Sequence, residues 1–456
     1  MAVTIKLALT MNLQIQLTYK QLLKIALPIS FAILIPQLNF IINTIFLGNL
    51  GDKELGLAGI TGVYYLIFSS IGYGLNNGLQ SLISNKAGQN DKDGIGQLFI
   101  QGIYLALACS LMGIIITYTI LPQVLHFFLS NDVQVSDALQ FLKIRIWGLP
   151  FLYVYQMRNA LLVGINKSKY LPYGTAAETI ANVGLDYIFI FGALGFSAIG
   201  FNGAAYASII AEFIGMVVTF GIIKYKGITR QFSLFEATTL KYSIIKTVLK
   251  QSAPLMLQHA LSIVSWFVFY LLIGRMANST MQLAISNTMR SLFGFFGVFI
   301  WAMGSTTNTV ISNLLGQGKQ DLVPKAIKML CIIGTSFTVI LLIILNIFPA
   351  SIFKIFSHNT GYVAYAIPVM RVVAVAMLVM SIAIVFLNTI IAYGKSIIAF
   401  YIEAITITAY IIYIYLVVEH FKLSLPLAWM SEWLYWSVLI TFSVGYYYKF
   451  LHNQKL

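Results

Sequence analysis

The chain has 456 residues, of which 59% are hydrophobic and only 9% are charged, with a formal net charge of +14. Charged residues make up about 25% of a soluble globular domain, so this composition excludes a soluble protein. Apolar runs long enough to cross about 30 Å of hydrocarbon recur along the chain, and they are too continuous for barrel strands. The sequence therefore predicts an all-α membrane protein, because helices satisfy their own backbone hydrogen bonds in lipid.

The apolar runs predict twelve transmembrane helices, six in each half of the chain. We expect an N-lobe at residues 21–225 and a C-lobe at 246–450, joined by a cytoplasmic linker at 226–245. Residues 1–20 and 451–456 are predicted to be cytoplasmic ends, and residues 1–20 lack the pattern of a cleaved signal peptide. The predicted spans are 21–48, 56–84, 95–120, 137–164, 170–193, 201–225, 246–274, 281–312, 324–350, 362–393, 397–419 and 425–449.

The positive charge follows this topology and does not indicate a nucleic-acid partner. With both termini in the cytoplasm, most Lys and Arg residues fall on inner segments. The outer loops hold only Lys53, Arg275, Lys354 and Lys422. This asymmetry obeys the positive-inside rule and fixes the orientation of a multi-pass protein. The low charge and an uncleaved first span are compatible with the bacterial inner membrane, which we take as the expected location. Its expected partner is the lipid bilayer, and we expect a monomer without a cofactor.

The two halves of the chain repeat each other. The segment ALPISFAILIPQLNFIINTIFLG (26–48) aligns with SAPLMLQHALSIVSWFVFYLLIG (252–274), and ISNKAGQ (83–89) aligns with ISNLLGQ (311–317). Because each half has six spans, the repeats have the same orientation and are related by an axis along the membrane normal. This architecture suits alternating access, with a substrate site between the lobes near the middle of the bilayer.

One polar stripe lies within the fifth predicted span. Glu178, Asn182 and Asp186 are spaced at i, i+4 and i+8, which places them on one face of a helix. Ionisable residues at this depth normally face a cavity or a polar partner. Asp186 could exchange protons, or amide oxygens around it could help to bind Na⁺. For Glu178, contact with water or Lys169 at the cytoplasmic end is an equal alternative.

Other polar residues in the predicted spans have less specific interpretations. Asn39 and Asn43 lie four residues apart, on one face of the first span. Lys143 and Arg145 are expected to snorkel or to cap their helix, and Arg158 is expected to pair with a carboxylate. Glu403 and Glu432, on the last two spans, stay open. His259, in the seventh span, is expected to be a hydrogen-bonded polar residue and not a proton relay.

The sequence resembles the multidrug and toxic compound extrusion (MATE) family over nearly its whole length. The similar features are an early proline in span 1, NTIFLGNLG at its end, LPF in span 4, LDYIFIFGALG in span 5 and GAAYAS in span 6. The resemblance implies a fold of two six-helix lobes. It also implies export of organic cations or amphiphilic compounds in exchange for H⁺ or Na⁺, with no cofactor and no metal beyond Na⁺.

The resemblance also implies a cation site in the N-lobe. The positions that match the family's cluster are Asn43, Asn159, Asn182 and Asp186, and only Asn43 departs, because the family motif carries Asp there. We therefore expect Asp186 to be the principal site, with Glu178 as an auxiliary acid.

Further positions follow from the same resemblance. Pro28 matches the proline at which bending of span 1 is proposed, and Ser262 replaces the acid that other members carry in span 7. A C-lobe cation site of that type is therefore doubtful. Independently of the resemblance, Gln37, Asn39, Tyr73 and Trp301 are expected to line the substrate cavity. For Gln37, a hydrogen bond between helices is an equal alternative, and Tyr73 and Trp301 occupy matched positions of the two repeats.

Two alternative functions remain at this point. A flippase for a lipid-linked sugar shares the fold, but it would need a cationic opening, and few arginines lie in the predicted spans. A membrane-embedded transferase would need an acid–base or metal constellation, and the sequence offers no such spacing. We therefore predict a transporter and not an enzyme.

Overall fold

The structure, a computed structural model, describes residues 13–128, 132–236, 238–354 and 360–452. In these ranges the chain is helical, with short connecting turns and no β-strand. The helices are α1 (Tyr19–Gly48), α2 (Asp52–Gly88), α3 (Lys92–Thr119), α4 (Leu121–Phe128), α5 (Asp132–Arg145), α6 (Leu149–Gly164), α7 (Leu171–Phe191), α8 (Phe201–Tyr225), α9 (Ile228–Gln231), α10 (Tyr242–Ile273), α11 (Ser279–Gly316), α12 (Val323–Ile347), α13 (Pro349–Lys354), α14 (Thr360–Ala392), α15 (Ser396–Tyr415), α16 (Leu425–Trp429) and α17 (Ser431–Tyr446).

All twelve predicted spans coincide with helical structure. Within the described ranges, nine helices are both long and apolar enough to cross a membrane. The other three predicted spans correspond to α5 with α6, to α7, and to α16 with α17. Two of these are divided into shorter helices, and α7 carries the polar stripe predicted from the sequence.

The prediction of one continuous helix over 137–164 is wrong. A tighter 3₁₀ turn at Ile146–Gly148 separates α5 from α6. Pro150, in the first turn of α6, has no N–H to continue the hydrogen-bond ladder of an α-helix. Gly148 is also required, because a Cβ there would lie 2.3 Å from Glu212 Oε2 and 2.4 Å from Arg145 Nη1. The turn therefore makes room for a pair of charged side chains.

The helices form two bundles that meet along their inner faces. In the first, α7 packs against α8 and α1, while α2 packs against α6 and α3. In the second, α14 packs against α11, α12 and α17, while α10 packs against α15. The bundles meet where α2 packs against α10 and α11, and where α1 packs against α11. The helices of the first bundle come from the first half of the chain, and those of the second bundle come from the second half.

The repeated ISN motifs lie where the C-terminal ends of α2 and α11 pack together, a contact that we call the α2–α11 seam. Ser81 Oγ lies 2.9 Å from Ser312 Oγ, and Ser84 Oγ donates a hydrogen bond of 2.7 Å to the Thr309 carbonyl. One turn before Ser84 on α2, Gln80 Nε2 donates to Thr309 Oγ1 at 2.8 Å. Hydroxyl and amide groups therefore join the two lobes directly.

Matched glycines let the two helices of the seam approach closely. A Cβ at Gly88 would lie 2.1 Å from the Asn313 carbonyl oxygen, and a Cβ at Gly316 would lie 2.0 Å from the Asn85 carbonyl oxygen. Any larger residue would have to push the backbones apart. Because Gly88 and Asn85 align with Gly316 and Asn313 in the repeat, the seam is symmetric.

Residues 13–17 precede α1 and cross this seam; we call them the N-terminal strap. Leu13 and Ile15 are 1% and 2% exposed. Asn313 of α11 accepts a hydrogen bond from the Ile15 N–H at 2.9 Å and donates to the Leu13 carbonyl at 3.0 Å. Gln14 Nε2 donates to the carbonyl of Gly88, at the end of α2, at 3.0 Å. The N-terminal strap therefore binds both lobes.

Candidate functional site

Three asparagines meet between α1 and α7, and we call them the amide cluster. Asn39 Nδ2 and Asn43 Nδ2 both donate to Asn182 Oδ1, at 2.8 and 3.0 Å. Asn182 Nδ2 in turn donates to Ser208 Oγ of α8 at 3.4 Å. The side-chain carbonyl oxygens of Asn39 and Asn43 are buried and have no hydrogen-bond partner among the described residues. The cluster therefore presents two unused acceptor oxygens.

Asp186 lies one helical turn further along α7, on the same face as Asn182. Its side chain is 0% exposed, and in the described part of the chain neither carboxylate oxygen has a hydrogen-bond partner. No Lys or Arg of those residues forms an ion pair with it. Burying an unpaired carboxylate costs several kcal/mol. Asp186 is therefore suited to bind a proton or a small cation that neutralises it.

Carboxylate and amide oxygens are ligands for hard cations such as Na⁺. Oxygens of this kind are left orphaned on Asp186, one turn from Asn182, and on Asn39 and Asn43, which are hydrogen-bonded to Asn182. The same carboxylate could take a proton instead. The arrangement of side chains is compatible with either ion.

Glu178 lies one turn before Asn182 on α7 and packs against Gly215 of α8. A Cβ at Gly215 would lie 2.9 Å from Glu178 Cβ and 3.2 Å from Glu178 Oε2. Arg158 Nη1 donates to the Gly215 carbonyl at 3.3 Å, so both side chains border the same glycine. Lys169 instead lies over the ring of Tyr170, at 5.1 Å from its centroid. Arg158 thus supplies a fixed positive charge near Glu178.

Asn159 has a direct contact with Arg158, and its place in the cation site stays a prediction. Its Oδ1 accepts a hydrogen bond of 2.6 Å from Arg158 Nη2, and no hydrogen bond joins it to the amide cluster in the described ranges. Arg158 is fully buried, with its guanidinium 3.6 Å from the centroid of the Tyr155 ring. Arg158 forms no ion pair among the residues described, although we expected one with a carboxylate. Asn159 therefore supports Arg158.

The expectation that Arg145 snorkels or caps its helix is wrong. Arg145 makes two hydrogen bonds to the carboxylate of Glu212 in α8, at 3.0 and 2.5 Å. Its guanidinium lies 3.7 Å from the centroid of the Tyr65 ring, and the Tyr65 hydroxyl donates to Glu212 Oε1 at 3.1 Å. This bidentate geometry is the strong form of an ion pair.

Glu212 is the charged residue that the sequence interpretation missed. A signal was present, because Glu212 and Arg145 are opposite charges inside two predicted spans, and buried charges normally pair. The pair occupies the space beside Gly148 and ties α5 to α8. Its charges neutralise each other, in contrast to Asp186.

The predicted cavity residues have separate contacts. A Cβ at Gly294 of α11 would lie 3.9 Å from Gln37 Oε1, so Gln37 faces the other lobe. The Tyr73 ring packs edge-on against His259 at 5.0 Å, and the Trp301 ring packs against Phe293 at 6.1 Å. That Tyr73 and Trp301 face each other across a cavity stays a prediction.

Two further expectations concern Pro28 and His259. Pro28 lies inside α1, which continues as a helix through it. Bending of α1 there stays a prediction. As expected, His259 has a hydrogen-bonding neighbour, since its Nε2 lies 3.3 Å from Asn77 Nδ2. Among the described residues, no group of three or more His, Cys, Asp or Glu side chains could hold a metal ion.

Comparison with known families decides the class of protein. The MatE family model matches residues 28–188 and 254–416, one segment in each lobe. The chain belongs to the MatE family. This confirms the resemblance to multidrug and toxic compound extrusion proteins, and it makes the chain a multi-pass membrane transporter and not an enzyme.

Relatives within the MatE family are similar along much of the chain. A protein of Thermotoga maritima named "Probable multidrug resistance protein NorM" is 23% identical over 421 residues, covering 90% of this chain and 88% of that one. A protein of the same name from Pasteurella multocida is 26% identical over 76% of this chain and 75% of its own. The match to a Synechocystis protein with this name, 26% identical, spans 54% of each chain.

Solved structures show the same MatE-family fold. A MATE protein in complex with MaL6 superimposes with a TM-score of 0.86 at 16% identity, covering 96% of both chains. A transporter of the MOP superfamily from Pyrococcus furiosus superimposes with a TM-score of 0.84 at 17% identity, covering 95% of this chain and 96% of that one. The all-α, two-lobe prediction is therefore confirmed.

Proposed function

We propose that the protein is a secondary antiporter that exports organic cations or amphiphilic compounds in exchange for H⁺ or Na⁺. The observation that carries the proposal is Asp186, a buried carboxylate without a protein partner among the described residues, one turn along α7 from Asn182 of the amide cluster. The name "Probable multidrug resistance protein NorM", borne by relatives, supports drug-like substrates. We also place the protein in the bacterial inner membrane, as a monomer with both termini in the cytoplasm and without a cofactor.

Burial of Asp186 couples ion binding to the movement of the lobes. An ionised Asp186 is tolerated while water reaches it, but closing protein around it costs several kcal/mol. Binding of H⁺ or Na⁺ removes that charge, so the lobes can close around the loaded site. A cationic substrate competes for the same negative charge. One site therefore alternates between the coupling ion and the substrate, as exchange requires.

The α2–α11 seam defines the closed side of this cycle. In the predicted orientation, the seam lies on the cytoplasmic side, close to Lys86 and Lys319. Hydrogen bonds between Ser84 and Thr309 and between Gln80 and Thr309 hold the lobes together there. Alternating access then requires that these contacts break when the cavity opens to the cytoplasm.

The flippase alternative gains no support from the buried arginines. A lipid-linked pyrophosphate needs free cationic groups, whereas Arg145 is bound to Glu212 and Arg158 is bound to Asn159 and Tyr155. Neither guanidinium is therefore offered to an anionic headgroup.

The test is transport of a fluorescent organic cation such as ethidium by purified protein in proteoliposomes. A pH gradient and a Na⁺ gradient are imposed separately on wild type, Asp186→Asn and Asp132→Asn. We expect one gradient to drive transport by the wild type, Asp186→Asn to fall to the rate of empty liposomes, and Asp132→Asn to keep the wild-type rate. Asp132 is a matched control because its carboxylate is 96% exposed. Wild-type transport by Asp186→Asn would contradict the proposal.

A further inference from the structure

The C-lobe contains its own deeply buried carboxylate, on a helix that the sequence comparison of the lobes did not indicate. Glu403 of α15 is 3% exposed. Ser262 Oγ of α10 donates to its Oε1 at 3.1 Å, and Gln258 Nε2 lies 3.5 Å from its Oε2. The Tyr435 hydroxyl of α17 also donates to Oε1. Ser262 stands at the position where other family members carry an acid, and its hydroxyl contacts a carboxylate that comes from α15.

Among the described residues, no positively charged group forms an ion pair with Glu403. Charged and titratable residues lie on α15 and on the helices packed against it, α10, α14 and α17. On α17, Tyr435 is neutral and Glu432 accepts a hydrogen bond from Trp436 Nε1 at 3.1 Å. On α10, His259 faces Tyr73 and Asn77. The Tyr410 ring of α15 packs against Tyr435 at 5.9 Å, and Arg371 of α14 is exposed.

No ion pair in the described part of the chain involves Glu403. Donation from three neutral groups lowers the cost of burying the carboxylate but does not neutralise it. A second observation points to a ligand. Gln258 is 6% exposed, and its Oε1 has no hydrogen-bond partner among the described residues. An acceptor oxygen next to an unpaired carboxylate can take the proton of a carboxylic acid or help to bind Na⁺.

We infer that Glu403 is a second ion-binding carboxylate, which takes up H⁺ or Na⁺ in the C-lobe with Gln258 Oε1 as its neighbouring acceptor. Ser262 and Tyr435 are positioning residues, because they hold the carboxylate through its oxygens. Asp186 and Glu403 then bind one ion each, in different lobes. The role in exchange rests on the proposed antiport, but the binding step does not.

The experiment measures ion binding directly, without transport. Infrared difference spectra of the purified full-length protein in lipid are recorded for a pH jump in K⁺, and for exchange of K⁺ by Na⁺ at fixed pH. We expect two carboxyl signals in the wild type, one lost in Asp186→Asn and the other lost in Glu403→Gln. The signal appears in the pH jump if the ion is H⁺ and in the Na⁺ exchange if it is Na⁺. Spectra of Glu403→Gln that equal the wild type in both arms would overturn the inference.

Conservative variants keep the test valid if Glu403→Gln does not fold. Tyr435→Phe and Gln258→Leu each change one contact of the carboxylate, so each should shift the frequency of the Glu403 signal and leave the Asp186 signal in place. No shift in either variant would also overturn the inference. The control is Glu419→Gln, because Glu419 forms an outer ion pair with Arg275 at 2.9 Å. This change should leave both signals intact.

Transport then separates this inference from the proposed function. In proteoliposomes, the number of ions exchanged per organic cation, read from the gradient that stops net flux, should fall by one in Glu403→Gln. If no gradient drives any transport while the Glu403 signal persists, the proposed function fails and the second ion site stands. If transport is driven but the Glu403 signal is absent, the second site fails and the antiport stands.

Discussion

Glu212 and Asp186 lie on neighbouring helices of one lobe, and both carboxylates are buried, yet their surroundings are opposite. Glu212 receives two hydrogen bonds from Arg145 and one from Tyr65, whereas Asp186 has no partner among the described residues. A buried ion pair needs no further ion, while a lone buried carboxylate does. The comparison separates carboxylates that hold helices together from those that bind a ligand. Glu403 belongs with Asp186, because it accepts hydrogen bonds but forms no ion pair among the described residues.

The largest expected effect comes from neutralising the paired acid. Glu212→Gln leaves Arg145 buried without its partner, so we expect a loss of about 3–5 kcal/mol. Asp186→Asn removes an unpaired charge and should leave stability unchanged or slightly higher. The measurement is thermal unfolding of both variants in the same detergent.

A double variant tests whether the loss comes from the uncompensated charge. Arg145→Met combined with Glu212→Met removes both charges and keeps similar side-chain volumes, so it should recover most of the stability. If Glu212→Gln unfolds at the same temperature as Asp186→Asn, the distinction between the two classes of carboxylate is wrong.

Glu178 should give an intermediate effect, because it is half-buried near Arg158 without a direct ion pair. Glu178→Gln removes the electrostatic attraction between this carboxylate and the Arg158 guanidinium, which acts without a direct ion pair. Arg158 keeps its contacts with Asn159 and Tyr155. Thermal unfolding should therefore place this variant between Asp186→Asn and Glu212→Gln. A loss as large as that of Glu212→Gln would assign Glu178 to the paired class.

Asn43→Asp places an acid in the amide cluster, in addition to Asp186 one turn further along α7. In the wild type, Asn43 Nδ2 donates to Asn182 Oδ1. The extra negative charge should raise the affinity for the coupling ion about tenfold. The measurement is the ion concentration that gives half of the stabilisation in thermal unfolding, compared with the wild type. Thr44→Ala on the exposed face of α1 is the control. An unchanged affinity would show that Asn43 lies outside the ion site.

The smallest effect is expected for a paired acid at the surface. Asp91 caps α3 through the Gly94 N–H at 2.8 Å and forms an ion pair of 2.7 Å with Lys86. Because the pair is exposed, Asp91→Ala should cost only about 1 kcal/mol, mainly from the lost cap.

The hydrogen bond with Lys86 lowers the pKa of Asp91 below its ordinary value of 3.8. A lowered pKa means that the contribution of Asp91 is complete above pH 3.8 and is lost as the pH falls through the lowered value. The difference in stability between wild type and Asp91→Ala should therefore shrink in acid, as followed by unfolding at several pH values. A difference that stays constant down to acid pH would contradict this assignment.

Much of the architecture could be predicted from sequence because lipid restricts the chain to helices of a known length. The stripe of Asn182 and Asp186 also followed from spacing alone, since residues four apart share a face. The partner of each side chain did not. Whether Arg145 turns toward lipid headgroups or toward Glu212 depends on the rotation and depth of two helices distant in sequence.

The same limit applies to Asn159 and Glu403. A family pattern points to Asn159, but it does not indicate that Arg158 donates a hydrogen bond to its side-chain oxygen. Ser262 marks the loss of an acid on α10, and sequence cannot reveal that α15 brings Glu403 to the same point. Residue type at one position is thus a weak guide where another helix can supply the missing group.

The N-terminal strap has a consequence for how the lobes separate. Leu13 and Ile15 are buried against the seam, and Asn313 holds the backbone of both. Any movement that parts α2 from α11 must therefore also peel this peptide from at least one of them, and every return must dock it again. A fusion partner attached before Leu13 would hinder the release and docking of that peptide in each turnover. A reporter protein at the N-terminus would therefore slow transport.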